Sequence, residues 1–140
     1  MKKMLVYLTL LAVVACDKRP SECKDDSSHN GLEVNNRSVV RIYAEYYWNY
    51  PDTMIGEYNP VNGLTGGIPP GGAGRRGIGR YECLENFFSN GHKEWVYIFN
   101  ADTIEQIPWE VVRSTGRGLI GRIELSEEYL RANNWQIYYP

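Results

Sequence analysis

Three cysteines, two histidines and a scatter of glutamates are the side chains here whose types could do chemistry. His29 and His92 lie far apart and neither belongs to a His-x-x-x-His pattern, whereas zinc needs several spaced ligands. Cys23, Asp25, Asp26 and His29 form only a loose set that a polar segment explains without a metal, so no metal site is expected. No serine stands in a Gly-x-Ser-x-Gly elbow. Glu82, Glu85, Glu94, Glu105 and Glu110 could supply a glycosidase pair, but such pairs are defined by their separation in space. Gly72-Ala73-Gly74-Arg75-Arg76-Gly77 matches the dinucleotide pattern G-x-G-x-x-G, which needs a strand before it and a helix after it. Pro69-Pro70 precedes it and more glycine follows, so no cofactor is expected. No catalytic residue is assigned, and the domain reads as a non-enzymatic binding or structural module.

Cys16 is the cysteine with the most distinctive surroundings. Met1-Lys2-Lys3 is a short basic start, Met4 to Val14 is an almost unbroken apolar run, and Ala15 is a small residue before the sulfur. A run of about 11 apolar residues is too short to span a bilayer, which needs roughly 20. A basic start, a short apolar core and a small residue at a cut are the parts of a secretory signal. With cysteine next, the layout resembles a bacterial lipoprotein signal (residues 1–15) cleaved before a lipidated Cys16. The expected localisation is the cell envelope, lipid-anchored at the outer membrane or periplasmic face. Two or more acyl chains, at roughly 0.8 kcal/mol per buried methylene, hold a chain on a bilayer stably.

The cut leaves about 125 of the 140 residues, one domain's worth, enough to bury roughly two-thirds of the unfolded surface. It also moves the formal charge from −2 to about −4, which disfavours nucleic acid as a partner because that wants a basic stripe. Cys23 and Cys83 remain. A bridge between them suits an oxidising compartment and would contribute roughly 4 kcal/mol by closing a long loop. A free Cys23 with a buried, inert Cys83 is the alternative.

Residues 16–31 are polar and charged, too poor in large apolar groups to offset the entropy of ordering, and read as a lipidated flexible tether. The globular part is expected at 32–140. Val40, Ile42, Ala44, Tyr46 and Trp48 alternate with Arg41, Tyr43, Glu45, Tyr47 and Asn49, which predicts a strand. Leu32–Val34 is expected to pair with it as a hairpin, and Pro51 ends it. Residues 59–79 are dominated by glycine and proline and read as a long loop. A short helix follows at Glu82–Ser89. Trp95–Phe99, apolar on both faces, predicts a central buried strand. Thr103 and Gln106 stand at capping-box spacing for a helical stretch that carries Pro108, Trp109 and Val112 and breaks at Gly116 and Gly118. Leu119–Leu125 predicts a strand, Ser126 caps a short helix, Asn133-Asn134 stop it, and Trp135, Ile137 and Tyr139 form a last strand. About five strands and two or three short helices make an α+β fold, a mainly antiparallel or mixed sheet in a single compact domain.

Tyrosines crowd the first long strand. Tyr46 and Trp48 fall on one face, Tyr43 and Tyr47 on the other, with Tyr50 at the exit. If one face is core, Tyr43, Tyr47 and Tyr50 are candidate binding aromatics for a protein or a glycan. If a second layer covers both faces, they are packing residues.

Tyr50-Pro51-Asp52-Thr53, Tyr97-Ile98-Phe99-Asn100-Ala101-Asp102-Thr103, Trp109-Glu110-Val111-Val112-Arg113, Ile123-Glu124-Leu125-Ser126 and Asn133-Asn134-Trp135-Gln136-Ile137-Tyr138-Tyr139-Pro140 resemble a family of small uncharacterised lipoproteins of Bacteroides-type bacteria. The likeness covers most of residues 34–140 and brings no activity or ligand. It implies one modification: general O-glycosylation in such bacteria follows Asp, then Ser or Thr, then a residue such as Ile or Met. Asp52-Thr53-Met54 and Asp102-Thr103-Ile104 both match, so Thr53 and Thr103 are candidate acceptors; turn and helix starts explain the same residues structurally. The expected function is a membrane-anchored envelope lipoprotein that contacts another envelope component. A glycan-binding accessory module is the alternative, and a small hydrolase the remote one.

Overall fold

The computed structural model describes residues 29, 31–47, 50–63, 66–76 and 83–140. Residues 1–15, read from sequence as a signal, and Cys16, Cys23 and Trp48 lie outside the described residues. Six strands form two three-stranded sheets, accompanied by four short α-helices, in an α+β domain.

The central sheet is built from β2 (Ile42–Tyr47), β4 (Glu94–Asn100) and β5 (Leu119–Leu125), with β4 in the middle and antiparallel to both neighbours. Successive side chains point to opposite faces of a strand, and here both faces are covered. Ile42, Ala44 and Tyr46 of β2 and Val96 and Ile98 of β4 pack toward the second sheet, with Leu84, Phe88, Leu130 and Trp135. Tyr43, Tyr47, Tyr97 and Phe99 pack toward Ile55, Ala101, Ile104, Trp109 and Val112. Sheet, sheet and helical cover make three layers, which is why β4 reads as apolar on both faces. Full burial of a side chain such as Phe99 stabilises by about 1.5–3 kcal/mol.

The second sheet has β1 (Leu32–Asn36) in its centre, antiparallel to β3 (Ala73–Arg76) and parallel to β6 (Gln136–Tyr139). This corrects the expected hairpin. β1 has a partner on each edge and leaves none for β2. The switch between sheets is made by Asn36, only 1% exposed. Its Nδ2 donates to the carbonyls of Val40 (2.8 Å) and Ile68 (3.0 Å), and its Oδ1 accepts from the Ser38 backbone N–H and hydroxyl. Val40 therefore spends its carbonyl on the turn, and β2 begins at Ile42.

The region expected as one long loop at 59–79 also holds ordered pairing. Ile68 bridges to Ile42, and β3 occupies the heart of the G-x-G-x-x-G match. A Cβ on Gly74 would stand 2.7 Å from the Ile68 side chain, so this glycine admits a packed isoleucine rather than a phosphate.

α1 (Leu84–Phe88), α2 (Ala101–Ile104), α3 (Trp109–Thr115) and α4 (Glu127–Ala132) complete the domain. The expected stretch from Asp102 to Gly116 is two helices. Asn100, not Thr103, caps the first, accepting from the Thr103 N–H at 2.9 Å, and Pro108 stands at the start of the second without a side-chain capping bond. Gly116 ends it at φ 70°, in the left-handed region glycine favours.

Candidate functional site

Antiparallel pairing of Glu94 with Leu125 sets the start of β4 beside the end of β5. The turn through Gly91, His92 and Lys93 thereby faces Ser126 and Glu127 at the start of α4 and Arg131 in its last turn, and between them lies a cleft of about 650 Å³. Phe88 reaches it from α1, and Glu124 and Glu128 complete its wall.

His92 stands at its edge, 45% exposed, and shares a 2.8 Å hydrogen bond through Nε2 with Glu94 Oε1. The Phe87 ring lies against the imidazole, centroids 4.4 Å apart. The Glu94 side chain is 5% exposed. Burial pushes its carboxyl up, and the His92 bond only partly offsets this. Its Oε2 has no hydrogen-bond partner among the described residues. A buried carboxyl with one unsatisfied oxygen is costly, and such groups concentrate at working sites.

Two ion pairs flank the pair. Lys93 Nζ is 2.5 Å from Glu124 Oε1, and the Tyr50 hydroxyl donates to Glu124 Oε2 at 3.1 Å. The lysine bond holds the Glu124 carboxyl below the usual range. Lys93 Nζ also lies 5.8 Å from the centre of the Tyr50 ring, which is tilted at 37° to Trp95 with centroids 5.6 Å apart. Both rings are half-buried. On the opposite wall Arg131 clasps Glu127 Oε1 through Nε (2.9 Å) and Nη2 (2.8 Å), one helical turn apart.

Of the candidate aromatics, only Tyr50 belongs to this region. Tyr43 and Tyr47 are 1% and 5% exposed and are not free to meet a ligand, because α2, α3 and the segment at 50–63 cover their face. Tyr43 donates to Glu105 Oε1 at 2.8 Å and Tyr47 to the Tyr58 carbonyl at 3.1 Å. Thr53 is exposed, beside an Asp52 carboxylate that accepts from the Met54 N–H. Thr103 is half-buried, with its hydroxyl 3.1 Å from Asn100 Oδ1. Cys83 is buried and disulfide-bonded, its partner lying outside the described residues.

His29, read from sequence as a tether residue, is seated on the domain. Its backbone N–H and Nδ1 meet the Glu85 carboxylate (Nδ1 at 2.7 Å), its carbonyl accepts from the Leu84 N–H at 2.8 Å, and its ring stacks on Trp135 at 5.0 Å. Burial works to raise the Glu85 carboxyl, but the His29 and backbone hydrogen bonds outweigh it and hold that carboxyl low.

Sequence reasoning missed the Lys93–Glu124–Tyr50 cluster and the exposed network in which Arg41 pairs with Glu105 (2.6 Å) and Asp102 (2.8 Å). Both join residues brought together by sheet register, which leaves no local pattern. Among the described residues, no group of three or more His, Cys, Asp or Glu is placed to hold a metal ion, and no helix is long and apolar enough to cross a membrane. No protein-family model, curated protein or solved structure matches the chain.

Proposed function

We propose that this chain is a lipid-anchored envelope lipoprotein whose domain is a non-enzymatic module that binds another envelope component at the cleft beside His92. The observation that carries the anchor is the layout of residues 1–16: basic start, short apolar run, small residue, cysteine. The resemblance of most of residues 34–140 to small Bacteroides-type lipoproteins supports the same reading, as does a disulfide on Cys83, a bond that persists in oxidising compartments. With lipid on Cys16, Cys23 is the remaining cysteine to pair with Cys83. The binding role is supported by the cleft's charges, four of which are tied to one another and present fixed donors and acceptors.

Radiolabelled palmitate fed to cells should enter the wild-type protein and not a Cys16→Ala variant. Label retained in that variant, or a mature chain that begins elsewhere, overturns the anchor. The buried Glu94 carboxyl beside His92 favours a second reading, a small hydrolase with His92 as proton carrier. Turnover abolished by His92→Ala would establish it over the binding role.

A further inference from the structure

We infer that β5 offers its open edge to a second copy of this chain, the two strands joining antiparallel about a two-fold axis at Ile123. The edge shares only Glu124 with the cleft, and its occupant is independent of whatever the cleft binds.

Register decides which backbone groups are open. The Asn100 N–H donates to the Gly118 carbonyl at 2.8 Å, on the β5 side of β4, and the Ala101 N–H donates to the Arg41 carbonyl at 2.9 Å, on the β2 side. Backbone groups alternate in direction along a strand, so Glu94, Val96 and Ile98, in step with Asn100, address β5. Their partners Leu125, Ile123 and Gly121 answer them, which turns the N–H and C=O groups of Arg122 and Glu124 outward. The same alternation accounts for Ile42, whose N–H and carbonyl exchange bonds with Ile68 on the outer side of β2 at 2.9 and 2.7 Å. That far edge is engaged, whereas β5 pairs with β4 alone among the described residues. Its open stretch is bounded by Ile120, whose carbonyl accepts from the Tyr139 hydroxyl at 3.2 Å, and by Ser126, where α4 begins.

Charge selects the occupant. Charged side chains on an open edge normally guard it by repelling a second strand. Arg122 and Glu124 instead carry opposite signs two residues apart and share the face of their β4 partners, Tyr97 and Trp95. Arg122 is exposed, its guanidinium 5.3 Å from the centre of the Tyr97 ring. Symmetric registers that set outward groups against outward groups have their axis at Arg122, Ile123 or Glu124. An axis at Arg122 opposes two guanidiniums, and one at Glu124 opposes two carboxylates. An axis at Ile123 sets each Arg122 against the second copy's Glu124, with both backbone hydrogen bonds exchanged in each pair. Opposite charges facing across strands support a sheet, and like charges oppose it. Glu124 can keep its bonds to Lys93 and Tyr50, because a carboxylate has about four acceptor sites. On the other face the two Ile123 side chains, half-buried against the core, meet at the axis. The patch is therefore self-complementary, as a closed dimer requires.

The test uses the purified full-length protein carrying Ile123→Cys under mild oxidation. Residues opposed at a non-hydrogen-bonded site stand about 4.5 Å apart at Cα, within disulfide range. A bridged dimer should form, with the bridge mapped by peptide analysis to position 123 of both copies. It should exceed by tenfold or more the dimer formed by Val39→Cys, a residue 92% exposed ahead of β2 that reports chance collision. Added to Ile123→Cys, Arg122→Glu should cut the bridged dimer fivefold or more, and Arg122→Lys, which keeps the sign, should stay within about twofold. Both should melt within a few degrees of the parent, since Arg122 is exposed, which separates loss of pairing from loss of the fold. Bridging no greater than that of Val39→Cys, a bridge mapped to other cysteines, indifference to Arg122→Glu, or a loss that Arg122→Lys shares overturns the pairing.

Discussion

Glu94 keeps a carboxyl away from water with only a histidine to answer one of its oxygens. Its folded-state affinity for the proton is raised by burial, so the folded chain stays protonated to higher pH than the unfolded chain does. Stability should therefore fall as pH rises from the ordinary carboxylate range through the raised one, and stay lower above it. Glu94→Gln should flatten that decline, raising Tm by a few degrees at ~pH 8 and leaving it nearly unchanged at ~pH 4. Thermal melts across that range measure it; a parallel decline in both proteins would show that the carboxyl is not the cause. Glu85 has the opposite sign: its carboxyl is held low, so the stability it adds is present above the ordinary carboxylate value and lost on acidification. The pairing of His92 with Glu94 was only weakly legible: the two are close in sequence, but His92 lies in the turn before β4. The burial was not, because α1 and the second sheet supply it from other parts of the chain.

At the level of elements, the alternation of β2 and the doubly apolar run of β4 located those strands well, β5 fell at its expected span, and Ser126 and Gly116 fell where helix ends need them. What the patterns could not choose was partners. A strand with two apolar faces says that it is covered twice, not by what. β1 was expected to fold back on β2 because it was next in line, whereas its edges are taken by β3 and β6. The residue that decides this is Asn36, whose side chain satisfies two carbonyls at the crossing between sheets. Asn36→Ala should strand those carbonyls and lower stability by about 1–3 kcal/mol, read as a lower midpoint in urea with an unchanged slope. The tyrosines of β2 show the same limit: spacing put Tyr43 and Tyr47 on a common face correctly, but only the α2–α3 layer reveals that this face is closed.

Across the whole molecule, the bond at Cys83 and the docking of His29 act on one region, the start of α1. If Cys23 is the partner, the bridge encloses about 60 residues, and Cys83→Ser should lower stability by about 4 kcal/mol through lost loop-closure entropy. Denaturation curves with and without reductant should differ for the wild type and coincide for the variant. Cys23→Ser should behave identically, and a Cys23→Ser protein still sensitive to reductant would point to another partner.

The seat of His29 also sets how far the domain can stand off from a bilayer. If Cys16 holds lipid, the leash runs only from there to His29, about 13 residues, or roughly 45 Å at full stretch. Whatever fills the pocket must come within that reach plus the width of the domain, so the protein would sample a shell above its own membrane and never the bulk fluid beyond.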